Sequence, residues 1–144
     1  MTTHAKIKLV PASAKETITL EEIKDLLSYY KEITSKTGNQ VNWDYGEAAL
    51  PYEMQIRESE KGNYLYLSSK HDRYHAIQVG IEKEVVELSD GSEQDLTVVQ
   101  IALAPSSTYG DKGKANEFCK FLAKKLQGEL HLFNGRIMYY YIRK

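Results

Sequence analysis

Hydrophobic positions alternate along some stretches of the chain and recur every three to four residues along others, and these two periods divide it into strands and helices. From His4 to Val10, Ala5, Ile7 and Leu9 lie opposite Lys6 and Lys8, which predicts a short strand closed by Pro11, at or near a sheet edge. Thr19-Leu20-Glu21-Glu22 has the form of a capping box, and Ile18 and Ile23 are placed for a hydrophobic staple. Leu20, Ile23, Leu26, Leu27, Tyr30 and Ile33 then recur at helical spacing. They predict a helix over 20–37 with Gly38 as its left-handed stop. Residues 39–52 keep neither period and read as an ordered connection.

Tyr52 to Ser59 and Asn63 to Ser69 alternate as two strands joined across Glu60-Lys61-Gly62, with Leu65 and Leu67 on one side and Tyr64 and Tyr66 on the other. Tyr74 to Leu88 and Asp95 to Ala104 form a second meander, turned at Ser89-Asp90-Gly91-Ser92. After a polar loop, Ala115, Phe118, Cys119, Leu122 and Leu126 mark the apolar face of a second helix ended by Gly128. The pattern predicts an α+β fold, two helices packed on a mainly antiparallel sheet in the order β-α-ββ-ββ-α-ββ, as a single domain over 1–144.

The last element is the most explicit, because two apolar runs meet at Asn134-Gly135, the dipeptide suited to a two-residue type I′ turn. Such a turn pairs Phe133 with Arg136, Leu132 with Ile137, His131 with Met138, Leu130 with Tyr139 and Glu129 with Tyr140. One face would carry Leu130, Leu132, Ile137, Tyr139 and Tyr141, the other Glu129, His131, Phe133, Met138, Tyr140 and Ile142. Neither face is polar, so the hairpin is expected to be covered on both sides or to expose an aromatic surface with a use.

Composition narrows the function classes. The 144 residues are 27% charged and 42% hydrophobic with a formal net charge of −1, which gives no global field toward nucleic acid or anionic membrane. The start of the chain has no signal-peptide pattern and no apolar run reaches membrane length, so a cytoplasmic location is expected. The single cysteine, Cys119, fits a reducing compartment and sits on a helix stripe, where a thiol is inert packing. No nucleophile elbow, metal-ligand spacing or nucleotide fingerprint occurs, so no catalytic residue, metal or cofactor is assigned. His71-Asp72-Arg73-Tyr74-His75 is read as a turn with a partly buried His75, because residues four apart on a strand lie about 13 Å from each other and cannot share one ion.

Two surfaces are left as candidates. The loop before the second helix, with Ser106, Ser107, Gly110, Lys112, Gly113 and Lys114, aims a turn and a helix start at one point and suits a small anion or nucleotide, although Asp111 would repel a phosphate unless it caps the helix. The hairpin face with His131, Phe133, Arg136, Met138 and Tyr140 suits another protein or self-association. Tyr64, Tyr66, Tyr139, Tyr140 and Tyr141 could also stack unpaired RNA bases, but the near-neutral charge argues against that reading.

Three stretches, Thr3 to Pro11, Val41 to Tyr45 with Ala49 to Tyr52, and His131 to Arg136 with the tyrosines after it, resemble a small family of uncharacterised proteins from Bacillus-type bacteria. The resemblance implies one cytoplasmic α+β domain and carries no functional residue over. The expectation is a non-enzymatic binding or protein-interaction module, with an anion-binding protein or enzyme using residues 106–114, and a single-stranded RNA binder, as the alternatives.

Overall fold

The computed structural model describes residues 4–40, 52–60, 62–70 and 73–141. Its elements are β1 (His4–Leu9), α1 (Leu20–Gln40), β2 (Glu53–Ser59), β3 (Gly62–Ser68), β4 (Ala76–Glu87), β5 (Glu93–Leu103), α2 (Tyr109–Leu126), β6 (Glu129–His131) and β7 (Ile137–Tyr139). The strands form one seven-stranded sheet in the order β2-β3-β4-β5-β1-β6-β7, with antiparallel pairing throughout. This is the expected α+β architecture in the expected order. The connection read over 39–52 falls mostly, at residues 41–51, outside the described residues, as do His71 and Asp72.

Both helices lie on one face of the sheet. Ile7, Leu9, Leu65, Leu67, Ile77, Val79, Val99 and Ile101 point inward and form one core with Ile23, Leu27, Phe118 and Leu122. Tyr30 joins the helices edge-on, 4.9 Å from Phe121 and 6.0 Å from Phe118 between ring centroids. The capping box of α1 is present: Glu22 N–H donates to Thr19 Oγ1 and Thr19 N–H donates to a Glu22 carboxylate oxygen, each at 3.2 Å. The helix runs past Gly38 to Gln40, because glycine permits a left-handed stop without enforcing one.

β1 is not an edge strand. It lies between β5 and β6, with Ile7 opposite both Val99 and Leu130. Its alternating lysines reported a solvated face, and alternation carries no information about whether a strand's backbone edges are occupied.

α2 ends at Gln127, which itself takes the left-handed conformation (φ 53°, ψ 48°) and donates its N–H to Ala123 O. Gly128 serves a different need. A Cβ there would stand 2.7 Å from Ile7 Cγ2 and 3.1 Å from Lys8 O, so glycine lets the chain cross close to β1.

The final hairpin departs from its expected register by one residue. Glu129 faces Tyr139, Leu130 faces Met138 and His131 faces Ile137. Leu132 N–H donates to Arg136 O at 2.8 Å, Gly135 N–H donates to Leu132 O at 3.0 Å, and Gly135 alone in the loop has a positive φ, +86°. These are the marks of a three-residue loop, a type I turn followed by a left-handed bulge residue. A slip of one residue turns every side chain of β7 to the opposite face. Met138 and Tyr140 therefore pack against the core beside Leu130, while Ile137 and Tyr139 stand exposed, each at 43%. The β4–β5 turn has the same form, with Gly91 N–H donating to Leu88 O and Leu88 N–H to Ser92 O.

Candidate functional site

The two surfaces expected from sequence look different once folded. In the loop before α2, Thr108 is the N-cap: Asp111 N–H donates to Thr108 Oγ1 at 3.0 Å and Thr108 N–H donates to the Asp111 carboxylate at 3.0 Å. Asp111 is fully buried. Its carboxylate also accepts from Tyr52 Oη at 2.5 Å, from His75 N–H at 2.9 Å and from Ala76 N–H at 3.4 Å. Burial by itself would raise this carboxyl, but the Tyr52 hydroxyl and the backbone donors outweigh it and hold Asp111 below the usual carboxylate range. Tyr52 is pushed up, by burial first and then by its bond to that carboxylate.

At the start of α2 the carboxylate that accepts from the loop is the chain's own Asp111, which caps the helix through Thr108 N–H. Gly110 is glycine because a Cβ there would lie 2.4 Å from Arg73 O. The glycine admits the strand-entry segment rather than a phosphate. Ser106 and Gly113 are exposed, Ser107 and Lys112 are half-buried, and Lys114 pairs with Glu117 at 2.9 Å. His75 is exposed at the entry to β4, not partly buried, because the strand begins only at Ala76 and the backbone, not the imidazole, is held there.

The hairpin residues do not share a face. Phe133 is buried, 3% exposed, Met138 and Tyr140 line the core, Arg136 is exposed in the turn, and His131 lies on the opposite side, 2.8 Å from Glu129. His131 and His75 are far apart, since the row of His131 runs through Lys6 and Gln100 and meets β4 at Gly80. Among the described residues no group of three His, Cys, Asp or Glu side chains could hold a metal ion. Cys119 is buried, which pushes its thiol up to about 12.

The face of the sheet away from the helices holds a further candidate surface, one not expected from sequence. Register aligns its side chains in rows: Tyr66, Gln78, Ala102 and His4; then Gly80, Gln100, Lys6 and His131; then Glu82, Val98, Lys8 and Glu129. Lys6 reaches Glu82 at 3.3 Å and Lys8 reaches Glu84 at 2.9 Å, both across the intervening strand β5. Val98 is fully buried beneath this lattice although neither described helix covers it. Glu84 is held below the usual carboxylate range by the Lys8 ammonium that donates to it, with Lys6 and His131 adding to the effect.

Where the ion pairs stop, a hollow of about 500 Å³ opens around Gly80, lined among others by His4, Asn63, Tyr64, Gln78, Gln100 and Ala102. Its floor exists because two neighbouring positions are small; a Cβ on Gly80 would meet no atom within 4 Å. The legible signal was Gly80 itself, a glycine inside an Ile- and Val-rich strand, where close approach of a ligand is one standard cause.

The sequence model of a domain of unknown function, DUF1885, matches residues 3–142. The chain belongs to the DUF1885 family. This agrees with the resemblance to an uncharacterised Bacillus-type family. A crystal structure of a protein of unknown function from Bacillus stearothermophilus is 42% identical, with 88% of this chain and 91% of that one covered, at a TM-score of 0.54. Among curated proteins none matches. Among the described residues of this DUF1885 chain no helix is long and apolar enough to cross a membrane.

Proposed function

We propose that this DUF1885 domain is a non-enzymatic binding module whose working surface is the face of the sheet opposite the two described helices. The observation that carries the reading is the hollow at Gly80, whose volume of about 500 Å³ falls within the roughly 300–1,000 Å³ of small-molecule sites. Gln78 and Gln100 line it with amides that make no side-chain hydrogen bond to the described residues, so donors and acceptors are left for a ligand. The loop at 106–114 supports the rival reading less, because the Asp111 carboxylate already accepts from Thr108 N–H at the helix start.

Backbone amide NMR in the presence of pooled phosphates, nucleotides, divalent metals and small polar compounds tests this. Shifts clustered on residues 62–64, 78–82 and 100–102 are expected. Shifts confined to residues 105–114 would replace the reading with the anion-binding one.

A second reading, self-association, is favoured by the exposed Ile137 and Tyr139 on the last strand of the sheet. Antiparallel pairing of β7 with a second copy about Met138 would set Ile137 against the second copy's Tyr139 and close a two-fold interface. Light scattering should then show a mass that rises with concentration and falls to the monomer in Tyr139→Lys. A monomer at all concentrations removes this reading.

A further inference from the structure

We propose that the hollow around Gly80 takes a sugar ring, seated on Tyr64 and held by the amides of Gln78 and Gln100. The inference rests on the sheet-face reading above and names its ligand class.

Charge is the first discriminator. The ionic groups nearest the hollow are already matched, Glu82 by Lys6 and Glu84 by Lys8. With Glu82 paired, the described lining includes His4 but no lysine or arginine, so no strong cation is left for a phosphate and no unpaired carboxylate for an ammonium ligand. A neutral ligand fits.

Donor geometry is the second. The amides come from two adjacent strands, Gln78 from β4 and Gln100 from β5, and sit in successive rows across the β4–β5 pair. Each primary amide offers two donors and an accepting oxygen, and a hydroxyl needs that same combination. Two amides in successive rows match adjacent hydroxyls on the rim of one ring. A nucleobase presents its polar edge in one plane and would leave part of the set unmet.

The third is the aromatic wall. Tyr64 lies one step beyond the Leu65–Val79 pair, beside Gly80, and is braced edge-on by Tyr66, with ring centroids 6.4 Å apart. Arg57 caps the Tyr66 ring, its guanidinium 3.9 Å from the centroid. A braced ring beside a floor of glycine and alanine suits the C–H face of a pyranose.

The test titrates glucose, galactose, mannose and N-acetylglucosamine, with uridine and inorganic phosphate as comparators, against the full chain, following backbone and side-chain amide signals. Binding of at least one sugar is expected, with the side-chain amides of Gln78 and Gln100 shifting. Gln78→Ala and Gln100→Ala should each weaken it about tenfold, as loss of one well-placed hydrogen bond implies.

Gly80→Val is the decisive variant. Its side chain enters open space, so the melting temperature is kept, while the floor of the hollow is filled and sugar binding is lost. Uridine or phosphate bound in place of any sugar, on the same residues, overturns the ligand class and leaves the surface standing. No shift on these residues with any compound overturns both. Sugar binding that survives Gly80→Val also overturns the proposal, since the ligand would then sit elsewhere.

Discussion

The two faces of the sheet are built from the same strands and obey different physics. On the covered face, Ile7, Leu65, Val79, Val99 and Ile101 interdigitate with helix residues, and each position is constrained by volume. On the open face, the same strands carry Lys6, Gln78, Glu82 and Gln100, which meet water or each other. The comparison teaches where change is tolerated. A face held by packing resists substitution, whereas a face held by screened ion pairs and solvated amides can be altered for binding at little expense to the fold.

The largest effect is expected from truncation on the covered side. Leu65→Ala and Leu122→Ala, both fully buried, should each lose about 2–5 kcal/mol in urea unfolding. A loss under about 1 kcal/mol would mean that the strands do not pack as described.

Asp111 comes next, because it ties the start of α2 to Tyr52 and to the entry of β4. Asp111→Ala, which orphans these buried donors, should lose about 3 kcal/mol. The sign of the pH effect follows from the lowered carboxyl of Asp111. A group depressed by folding adds stability above its unfolded value, about pH 4, and that part is lost as the pH falls through the folded value. Acid unfolding of Asp111→Asn should therefore be shallower below about pH 4 than that of the parent chain. Parallel curves would show that the carboxylate is not held as an ion.

The hairpin sharpens the comparison within two neighbouring residues. Tyr140 packs on the core while Tyr139 is exposed. Tyr140→Ala should lose about 2 kcal/mol and Tyr139→Ala under about 0.5 kcal/mol. The reverse order would restore the two-residue turn and its register.

The smallest effect belongs to the open face. Lys6→Gln should change stability by under about 1 kcal/mol, and the difference from the parent should shrink in salt. A large, salt-independent loss would make the ion lattice structural.

Much of the architecture was legible in the residues. Periodicity placed both helices and the strands, and Thr19 with Glu22 marked the first cap. The second cap, Thr108 with Asp111, has the same spacing and was readable only as a condition on the anion loop. Its decisive partners, Tyr52 and the amides of His75 and Ala76, come from distant segments. Gly80 was visible as an interruption in a strand, but its hollow depends on Tyr64, Gln100 and His4 arriving from three other strands.

Sequence by itself determined which side chains alternate and where helices begin, because those depend on neighbours within a few bonds. Tertiary structure alone decided that β1 lies inside the sheet, that β7 is shifted by one residue and that a hollow opens at Gly80. Strand order and register are set by pairing across the sheet. Here the loop at Phe133-Asn134-Gly135 adopted a three-residue form that lets Met138 and Tyr140 bury, and burial of those two side chains reaches across the hairpin in a way that local turn preference does not.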